Sequence, residues 1–329
     1  MVSHAQELKI EPGDHVAIIG NALADRMQHD GWLETLIQVR YPDHELVFRN
    51  LGFAGDEVTT RLRSAGFGSP HEWLSKTEAD VVIACFGYNE SFAGADGIEK
   101  FRGDLEAFVK ETLAQSYNGE SSPQLVLVSP IAHEDLDDPH LPGGSENNNR
   151  LAMYTEAIRE VALANDVVFA DIFHPTQKLY AQMEEPLTIN GVHLNELGNR
   201  HVARELTDSL FSADPGLEVS DDRIQSVRAA VQDKNFYWFH RYRTTDGYSV
   251  YGGRSHLKFV DGQTNREVAQ REMLILDEMT ANRDPAVWAA ARGELYTVDD
   301  SKTSEFIPVV TNKPGAGENG AHLYLSSED

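Results

Sequence analysis

The chain has 329 residues, enough for about two domains of the usual size. Its 53 acidic and 28 basic side chains give a formal net charge of −25. A surface this acidic repels phosphate backbones, which argues against a nucleic-acid partner. The sequence holds no run of about 18 apolar residues, which a membrane-spanning helix requires. Cys85 is the sole cysteine, which excludes disulfides within the chain and metal sites built from several cysteines.

Short apolar segments alternate with amphipathic segments over the first two thirds of the chain. The predicted strands are residues 15–20, 45–51, 80–86, 124–129 and 167–172. The predicted helices are residues 23–41, 98–113, 151–161 and 195–211. Strands that alternate with helices predict a parallel sheet covered on both faces. We therefore expect a three-layer, doubly wound α/β fold.

The composition changes near residue 213, where Ala213-Asp214-Pro215-Gly216 interrupts the alternation. Two further helices are predicted beyond it, over residues 224–232 and 267–281. From about residue 301 onward the chain is rich in Ser, Gly, Pro and Asn. The expected organisation is an α/β domain over residues 1–212, a mostly helical extension over 213–300 packed on that domain, and a tail or linker over 301–329.

An aromatic segment over residues 235–255 lies between the two helices predicted for the extension. Its aromatic side chains are Phe236, Tyr237, Trp238, Phe239, Tyr242, Tyr248 and Tyr251. We expect most of them to pack the extension onto the α/β core, with Trp238 mostly buried. The alternative is a surface on which a sugar stacks, with Arg241, Arg243 and Asp246 as polar partners.

Four short motifs follow predicted strands or precede the last helix of the α/β domain. In chain order they are Gly20-Asn21-Ala22-Leu23, Asn50-Leu51-Gly52-Phe53-Ala54-Gly55-Asp56, Gly87-Tyr88-Asn89-Glu90 and Asn190-Gly191-Val192-His193. Ligand sites of open α/β sheets lie beyond the carboxyl ends of the strands. We therefore expect these motifs to converge at one edge of the sheet.

The order and spacing of the motifs resemble the SGNH (GDSL-like) hydrolase family over residues 14–211. The resemblance implies a flavodoxin-like sheet and places Ala22 where that family keeps its nucleophilic serine. It also places His193 at the position of the family's general base, and Asn190 at the position of the acid that orients this base. Alanine has no oxygen that could attack a carbonyl carbon. Asparagine can orient an imidazole, but it does not stabilise an imidazolium as a carboxylate does.

The same resemblance implies that the backbone N–H of Gly55 and the side-chain amide of Asn89 form an oxyanion hole. Such donors stabilise the negative charge that develops on a carbonyl oxygen in the transition state. The alternative is structural: Gly52 and Gly55 then merely permit a tight turn, and Asn89 caps a turn or a helix.

Three further residues beside these motifs are candidates for substrate contact: Asn21, Asp56 and Ser129. Ser129 and Ser91 are also the candidates for a replacement nucleophile, although neither occupies the position of Ala22. The acidic loop over residues 133–140 is expected to be solvated rather than to bind a metal. We predict neither a metal nor a cofactor.

Two functions remain open. The first is slow hydrolysis of acylated carbohydrates or similar small esters through His193 and a bound water. The second is a non-catalytic module that binds a carbohydrate or an ester with the same pocket. Ala22 and Asn190 favour the binding module, whereas Gly55, Asn89 and His193 favour the hydrolase.

A narrower resemblance links residues 19–63, 87–92 and 242–254 to SGNH-like modules of planctomycete-type bacteria. Such modules often precede a haem-binding region in longer exported proteins, and residues 313–327 are similar to the connection toward such a region. Ser3-His4-Ala5 has the small residues of a signal-peptidase site and suggests a trimmed export signal. We therefore expect a periplasmic or otherwise exported protein.

Overall fold

The computed structural model describes residues 7–211, 219–258 and 262–309. Five parallel strands form its sheet: β1 His15–Gly20, β2 Val47–Asn50, β3 Val81–Cys85, β4 Gln124–Val128 and β5 Val168–Ala170. Their order across the sheet is β2-β1-β3-β4-β5, the flavodoxin-like order. The predicted parallel α/β fold is therefore confirmed. The export-signal remnant near residue 3, the break at 213–216 and the segment 313–327 lie outside the described residues.

The strands are apolar because helices cover both faces of the sheet. The first seven helices are α1 Ala22–Asp30, α2 Trp32–Arg40, α3 Pro70–Lys76, α4 Ile98–Leu113, α5 Ser145–Ala164, α6 Phe173–Gln182 and α7 Glu196–Leu210, with a 3₁₀ helix at Glu90–Gly97. On β1, Val16 and Ile18 pack with α1, α2 and α7, whereas Ala17 and Ile19 pack with α3, α4 and α5. This alternation follows from the two-residue period of a strand and produces one apolar core on each side of the sheet.

The first predicted helix is wrong in one respect, because residues 23–41 form two helices rather than one. Gly31 separates α1 from α2 and has a φ of +69°, in the left-handed region that favours glycine. Its N–H donates to the carbonyl of Met27 at 3.0 Å and closes the last turn of α1. A side chain at this position would also press on Val231 of the C-terminal region.

The sequence placed the aromatic segment between two predicted helices, but its first half belongs to a long helix. The C-terminal helices are α8 Asp221–Arg243, α9 Gly247–Val250, α10 Asn265–Ala281 and α11 Asp284–Arg292. Helix α8 includes the first half of the aromatic segment. One face of this helix packs on the core, and the opposite face is exposed to solvent. Trp238 and Tyr242 are buried, whereas Phe236 is 58% exposed.

Helix α8 docks on α1, α2 and β2 through specific polar contacts as well as apolar packing. The indole N–H of Trp238 donates to the carbonyl of Asn50 at 2.7 Å. Lys234 forms a buried ion pair with Glu34, and burial raises the pKa of that carboxyl. The predicted burial of Trp238 is confirmed. No helix within the described residues is both long and apolar enough to cross a membrane.

Two of the polar residues proposed for a sugar-stacking surface have partners inside the protein. Arg241 is buried, donates through Nη1 to the hydroxyl of Tyr251 at 2.7 Å, and lies 4.8 Å from the ring centre of Trp73 in α3. Arg243 donates through Nη1 to Asp25 at 2.8 Å and lies over the ring of Phe53. Both arginines therefore join the C-terminal region to the core, as the packing interpretation of this segment requires.

Candidate active site

A cavity of about 130 Å³ opens at the carboxyl edge of the sheet, beyond the ends of β1, β3 and β4. Its walls are mainly apolar, with a few polar groups and one cation among them. The lining residues are Asn21, Ala22, Leu23, Arg26, Cys85, Phe86, Tyr88, Asn89, Ser129, Pro130, Ile131, Val192, His193, Leu194 and Asn199. Apolar walls with a few convergent polar groups are typical of small-molecule sites.

The turn from β1 into α1 places Ala22 at the wall of this cavity. Gly20 has a φ of +133°, and a Cβ on it would clash with the carbonyl of Cys85 on the neighbouring strand. Asn21 then caps α1, since its side-chain oxygen accepts the N–H of Leu23 at 3.2 Å. Ala22 is the first residue of the helix, so its side chain occupies a strand–turn–helix corner. This corner carries a methyl group and no hydroxyl.

The loop before α7 places His193 on the same cavity and orients its ring. The Oδ1 of Asn190 accepts the N–H of His193 at 2.9 Å and that of Val192 at 3.2 Å. The same oxygen lies 3.1 Å from Nδ1 of His193. Because this oxygen is an acceptor, Nδ1 carries the hydrogen and Nε2 is left with its lone pair.

The charge state of His193 suits a base. Burial, together with the nearby positive charge of Arg26, lowers the pKa of His193 below its ordinary value. The imidazole is therefore neutral at neutral pH and can accept a proton at Nε2. Arg26 was not singled out from the sequence. Its position one helical turn after Ala22 was the available signal, since residues four apart lie on one face of a helix.

The two expected oxyanion donors differ in their positions. Asn89 lines the cavity, and its Nδ2 donates one hydrogen to the carbonyl of Asp56 at 3.1 Å. An amide nitrogen has two hydrogens, so a second one remains. Gly55 is not among the lining residues; it lies in the adjacent exposed turn with a φ of +89°. Ala22, Asn89 and His193 thus line one cavity, whereas Gly55 does not.

The three expected substrate contacts are only partly available. Asn21 lines the cavity but its oxygen caps α1. Ser129 also lines it, yet its hydroxyl oxygen accepts the N–H of Ile172 at 2.9 Å and of Phe173 at 3.0 Å. Asp56 does not line this cavity: it is buried and forms a bidentate pair with Arg63, with both distances at 2.8 Å.

No side chain on the cavity wall replaces the missing nucleophile. The hydroxyl of Ser129 donates to the carbonyl of Pro130 at 3.2 Å and is buried. Ser91 is fully buried and donates to the carbonyl of Tyr88 at 2.6 Å. Burial raises the pKa of Cys85 to about 12, so it stays a neutral thiol.

The expectation of a solvated acidic loop over residues 133–140 is wrong at its first two positions. His133 and Glu134 are buried. The carboxylate of Glu134 accepts the N–H groups of Leu187 at 2.9 Å and Thr188 at 2.7 Å, and also the hydroxyl of Thr188. The N–H of Glu134 donates to the carbonyl of Gly191 at 2.9 Å. Glu134 thus holds the loop that carries Asn190 and His193.

Metal ligation finds no support in the parts of the chain that the structure describes. Across residues 7–211, 219–258 and 262–309, no three His, Cys, Asp or Glu side chains are grouped as metal ligands would be. The polar groups of the cavity are an imidazole, three carboxamides, a guanidinium and two hydroxyls. These groups can donate and accept hydrogen bonds at several points of an otherwise apolar wall.

The fold has counterparts among solved structures. BT4096, a gut microbial diltiazem-metabolizing enzyme, matches with a TM-score of 0.50 and 17% identity over 63% of this chain and 49% of its own. The chain therefore spans about half the length of that enzyme. Axe2, an acetylxylan esterase from Geobacillus stearothermophilus, matches with a TM-score of 0.49 and 16% identity over 64% of this chain and 100% of its own.

These similarities concern the fold alone, because the identities are low. No curated protein sequence matches the chain. The sequence model of the GDSL-like Lipase/Acylhydrolase family matches residues 20–201. This segment begins at the end of β1 and extends into α7. This segment contains Ala22, Asn89 and His193 and makes up more than half of the sequence. The chain belongs to the GDSL-like lipase/acylhydrolase family.

Proposed function

We propose that this protein hydrolyses the ester bond of a small acylated ligand, such as an acylated carbohydrate, with water rather than a side chain as the nucleophile. The observation that carries the proposal is the hydrogen bond between Nδ1 of His193 and Oδ1 of Asn190. This contact keeps Nε2 of a neutral imidazole available beside a corner where Ala22 leaves space for water. The lowered pKa of His193 supports the same role.

The chemistry follows from these groups. Nε2 of His193 takes a proton from a water molecule, whose oxygen attacks the carbonyl carbon of the ester. The carbonyl oxygen becomes an oxyanion, which the second amide hydrogen of Asn89 would stabilise; the N–H of Gly55 would contribute only if its turn moved toward the cavity. The tetrahedral intermediate then expels the alkoxide, which takes the proton back from the imidazolium. Acid and alcohol are the products, and no acyl-enzyme forms.

The reaction is expected to be slow. Water is not positioned covalently as a serine oxygen is, and Asn190 lacks the charge that would stabilise the imidazolium. In serine proteases, the binding site and oxyanion hole retain about 10³- to 10⁴-fold over water when the triad is broken. We expect a residual acceleration of this order.

The test is a screen of short-chain nitrophenyl esters and acetylated sugars with the unmodified protein and with His193→Gln. We expect steady turnover without a burst, and a loss of the enzymatic rate in His193→Gln. His256→Gln is the matched control, because His256 is an exposed histidine outside the cavity lining. Equal rates for both variants would show that His193 takes no part in the reaction.

A second candidate is a module that binds a carbohydrate or an ester without chemistry. Ala22 and Asn190 favour it, because both residues lack the group that a covalent mechanism needs. In this case Asn89 would hold a carbonyl oxygen of the ligand in its ground state. The module could serve a longer, exported protein that also carries a haem-binding region. Saturable binding of an acetylated sugar, with no release of acetate by the protein, would favour this candidate over the hydrolase.

A further inference from the structure

A second cavity is lined by Asp56, by residues between 61 and 73, and by Tyr242 of α8. Its volume of about 500 Å³ is within the range of ligand pockets. It shares no lining residue with the candidate active site, so an inference about it does not rest on the proposed function. The residues that matter for its chemistry are Arg61, Arg63, Ser64, Phe67, Trp73 and Tyr242.

The two arginines of this second cavity differ in how their charges are compensated. Arg63 holds Asp56 in a bidentate pair, so these two charges neutralise each other. Arg61 forms no ion pair with any carboxylate of the described residues. Its Nη2 makes one long hydrogen bond of 3.3 Å to the carbonyl of Val58, and its Nε is buried without an acceptor. Nη1 has no acceptor among the described residues either.

The surroundings of Arg61 do not replace the missing anion. Its guanidinium lies 4.9 Å from the ring centre of Phe86 and 5.4 Å from that of Phe108. Burial lowers the pKa of Arg61, which reflects the loss of hydration around the cation. The other carboxylate on the cavity wall, Glu72, is exposed to solvent and accepts the N–H of Ser69 at 2.6 Å. Solvent screens that charge. Asp56 also attracts Arg61, but this carboxylate is already paired with Arg63, so the two guanidinium groups share one buried negative charge.

A desolvated cation without a partner is costly, and an anion that enters the cavity would remove this cost. The chain has a net charge of −25, so positive groups are not in general excess, and a buried arginine in a cavity calls for a specific reason. The guanidinium presents a planar fork that fits the oxygens of a carboxylate or a sulfate. Phe67 and Trp73, whose ring centres are 5.0 Å apart, add apolar wall area for the body of a ligand.

We propose that the second cavity binds a small organic oxyanion, a carboxylate or sulfate carried by a ring the size of one sugar, with Arg61 as the residue that pairs with its charge. Ser64 and Tyr242 supply hydroxyl groups on the same wall. The cavity is then a ligand site separate from the one that contains Ala22 and His193.

The test is calorimetric titration of the whole protein with glucuronate, glucose 6-sulfate and neutral glucose. Both anions are expected to bind, and glucose is not. Arg61→Gln should weaken binding of the anions by about 10- to 100-fold, the usual value of a hydrogen bond to a charged group. Arg204→Gln is the control, because it removes one exposed positive charge at a distance from the cavity lining.

A measurement on the unmodified protein covers the case in which Arg61→Gln does not fold. Phenylglyoxal labels arginines, and fragment-ion mass spectrometry locates the label. Glucuronate should protect Arg61 and leave the labelling of Arg204 unchanged. The proposal is overturned if neither anion binds the unmodified protein, if Arg61→Gln binds them as tightly as Arg204→Gln does, or if glucuronate leaves Arg61 unprotected.

Discussion

Restoring the two missing groups of the candidate active site should convert slow hydrolysis by water into covalent catalysis. Ala22→Ser supplies an attacking oxygen at the corner between β1 and α1. Asn190→Asp replaces one amide nitrogen with oxygen and leaves the shape of the side chain almost unchanged. The oxygen that accepts from Val192 and His193 can keep its three contacts, so the loop should retain its geometry. What changes is the charge beside the imidazole.

The size of the effect follows from the distance between Nδ1 of His193 and Oδ1 of Asn190, which is 3.1 Å. At an effective dielectric constant of about 20, Coulomb's law gives about 5 kcal/mol of attraction between a carboxylate and the imidazolium. Because His193 is half-buried, water screens part of this, and a dielectric constant of about 35 gives about 3 kcal/mol. These energies correspond to roughly 10²- to 10⁴-fold in rate.

The assay compares the unmodified protein, the two single variants and the double variant on one nitrophenyl ester. We expect partial activity from Ala22→Ser and a further gain of roughly 10²- to 10⁴-fold in kcat/KM when Asn190→Asp is added. The double variant should exceed the sum of the single gains, because triad residues act as a unit. It should also show a burst of nitrophenolate, which reports the acyl-enzyme.

A purely structural effect of Asn190→Asp would not move the pH dependence. The new negative charge should raise the pKa of His193, so the acid limb of the rate profile should move to higher pH. Asn165→Asp, combined with Ala22→Ser, controls for one added charge outside the cavity lining. A double variant that folds but shows no burst and no gain over Ala22→Ser would contradict these roles of residues 22 and 190.

Three further predictions concern the pH dependence and the packing of the site. In the Ala22→Ser background, kcat/KM should rise with pH through a His193 pKa below the ordinary value, and Arg26→Gln should raise that pKa and move the rise to higher pH, because it removes a positive charge. Trp238→Ala should lower the free energy of unfolding by about 3–5 kcal/mol in urea titrations, whereas Phe236→Ala, on an exposed face of the same helix, should change it by less than about 1 kcal/mol. Glu134→Ala should cost about 3 kcal/mol in the same titrations, since it leaves the buried donors of the loop before His193 unpaired; an unchanged midpoint would contradict this role.

Much of the α/β core could be predicted from local sequence patterns. The strands are continuous apolar runs and the helices have apolar residues at a helical period, because each element must bury one or both of its faces. Parallel strands bring their carboxyl ends to one edge, so the residues that follow β1 and β3 had to lie near each other. This rule and the family resemblance together predicted that Ala22 and Asn89 lie at the candidate site, and the motif before α7 predicted the same of His193.

Other features depend on partners far away in the sequence. The side chain of Asp56 was expected at the substrate, but Arg63 binds it on the wall of the second cavity. Ser129 follows a strand as expected, but its hydroxyl is used by N–H groups at the end of β5 and the start of α6. Glu134 belongs to an acidic run in the sequence, yet the loop before His193 supplies donors that make its burial favourable.

The sequence by itself determined the elements, the parallel sheet and the absence of an attacking oxygen at residue 22, because these depend on residue types and on short-range periodicity. Only the tertiary structure decided which polar groups remain available to a ligand. A side chain of given chemistry is free or committed according to the donors and acceptors that folding brings to it. Arg61 illustrates this: two acidic residues precede it closely in the sequence, but in the fold the nearer cavity carboxylate, Asp56, is paired with Arg63 instead.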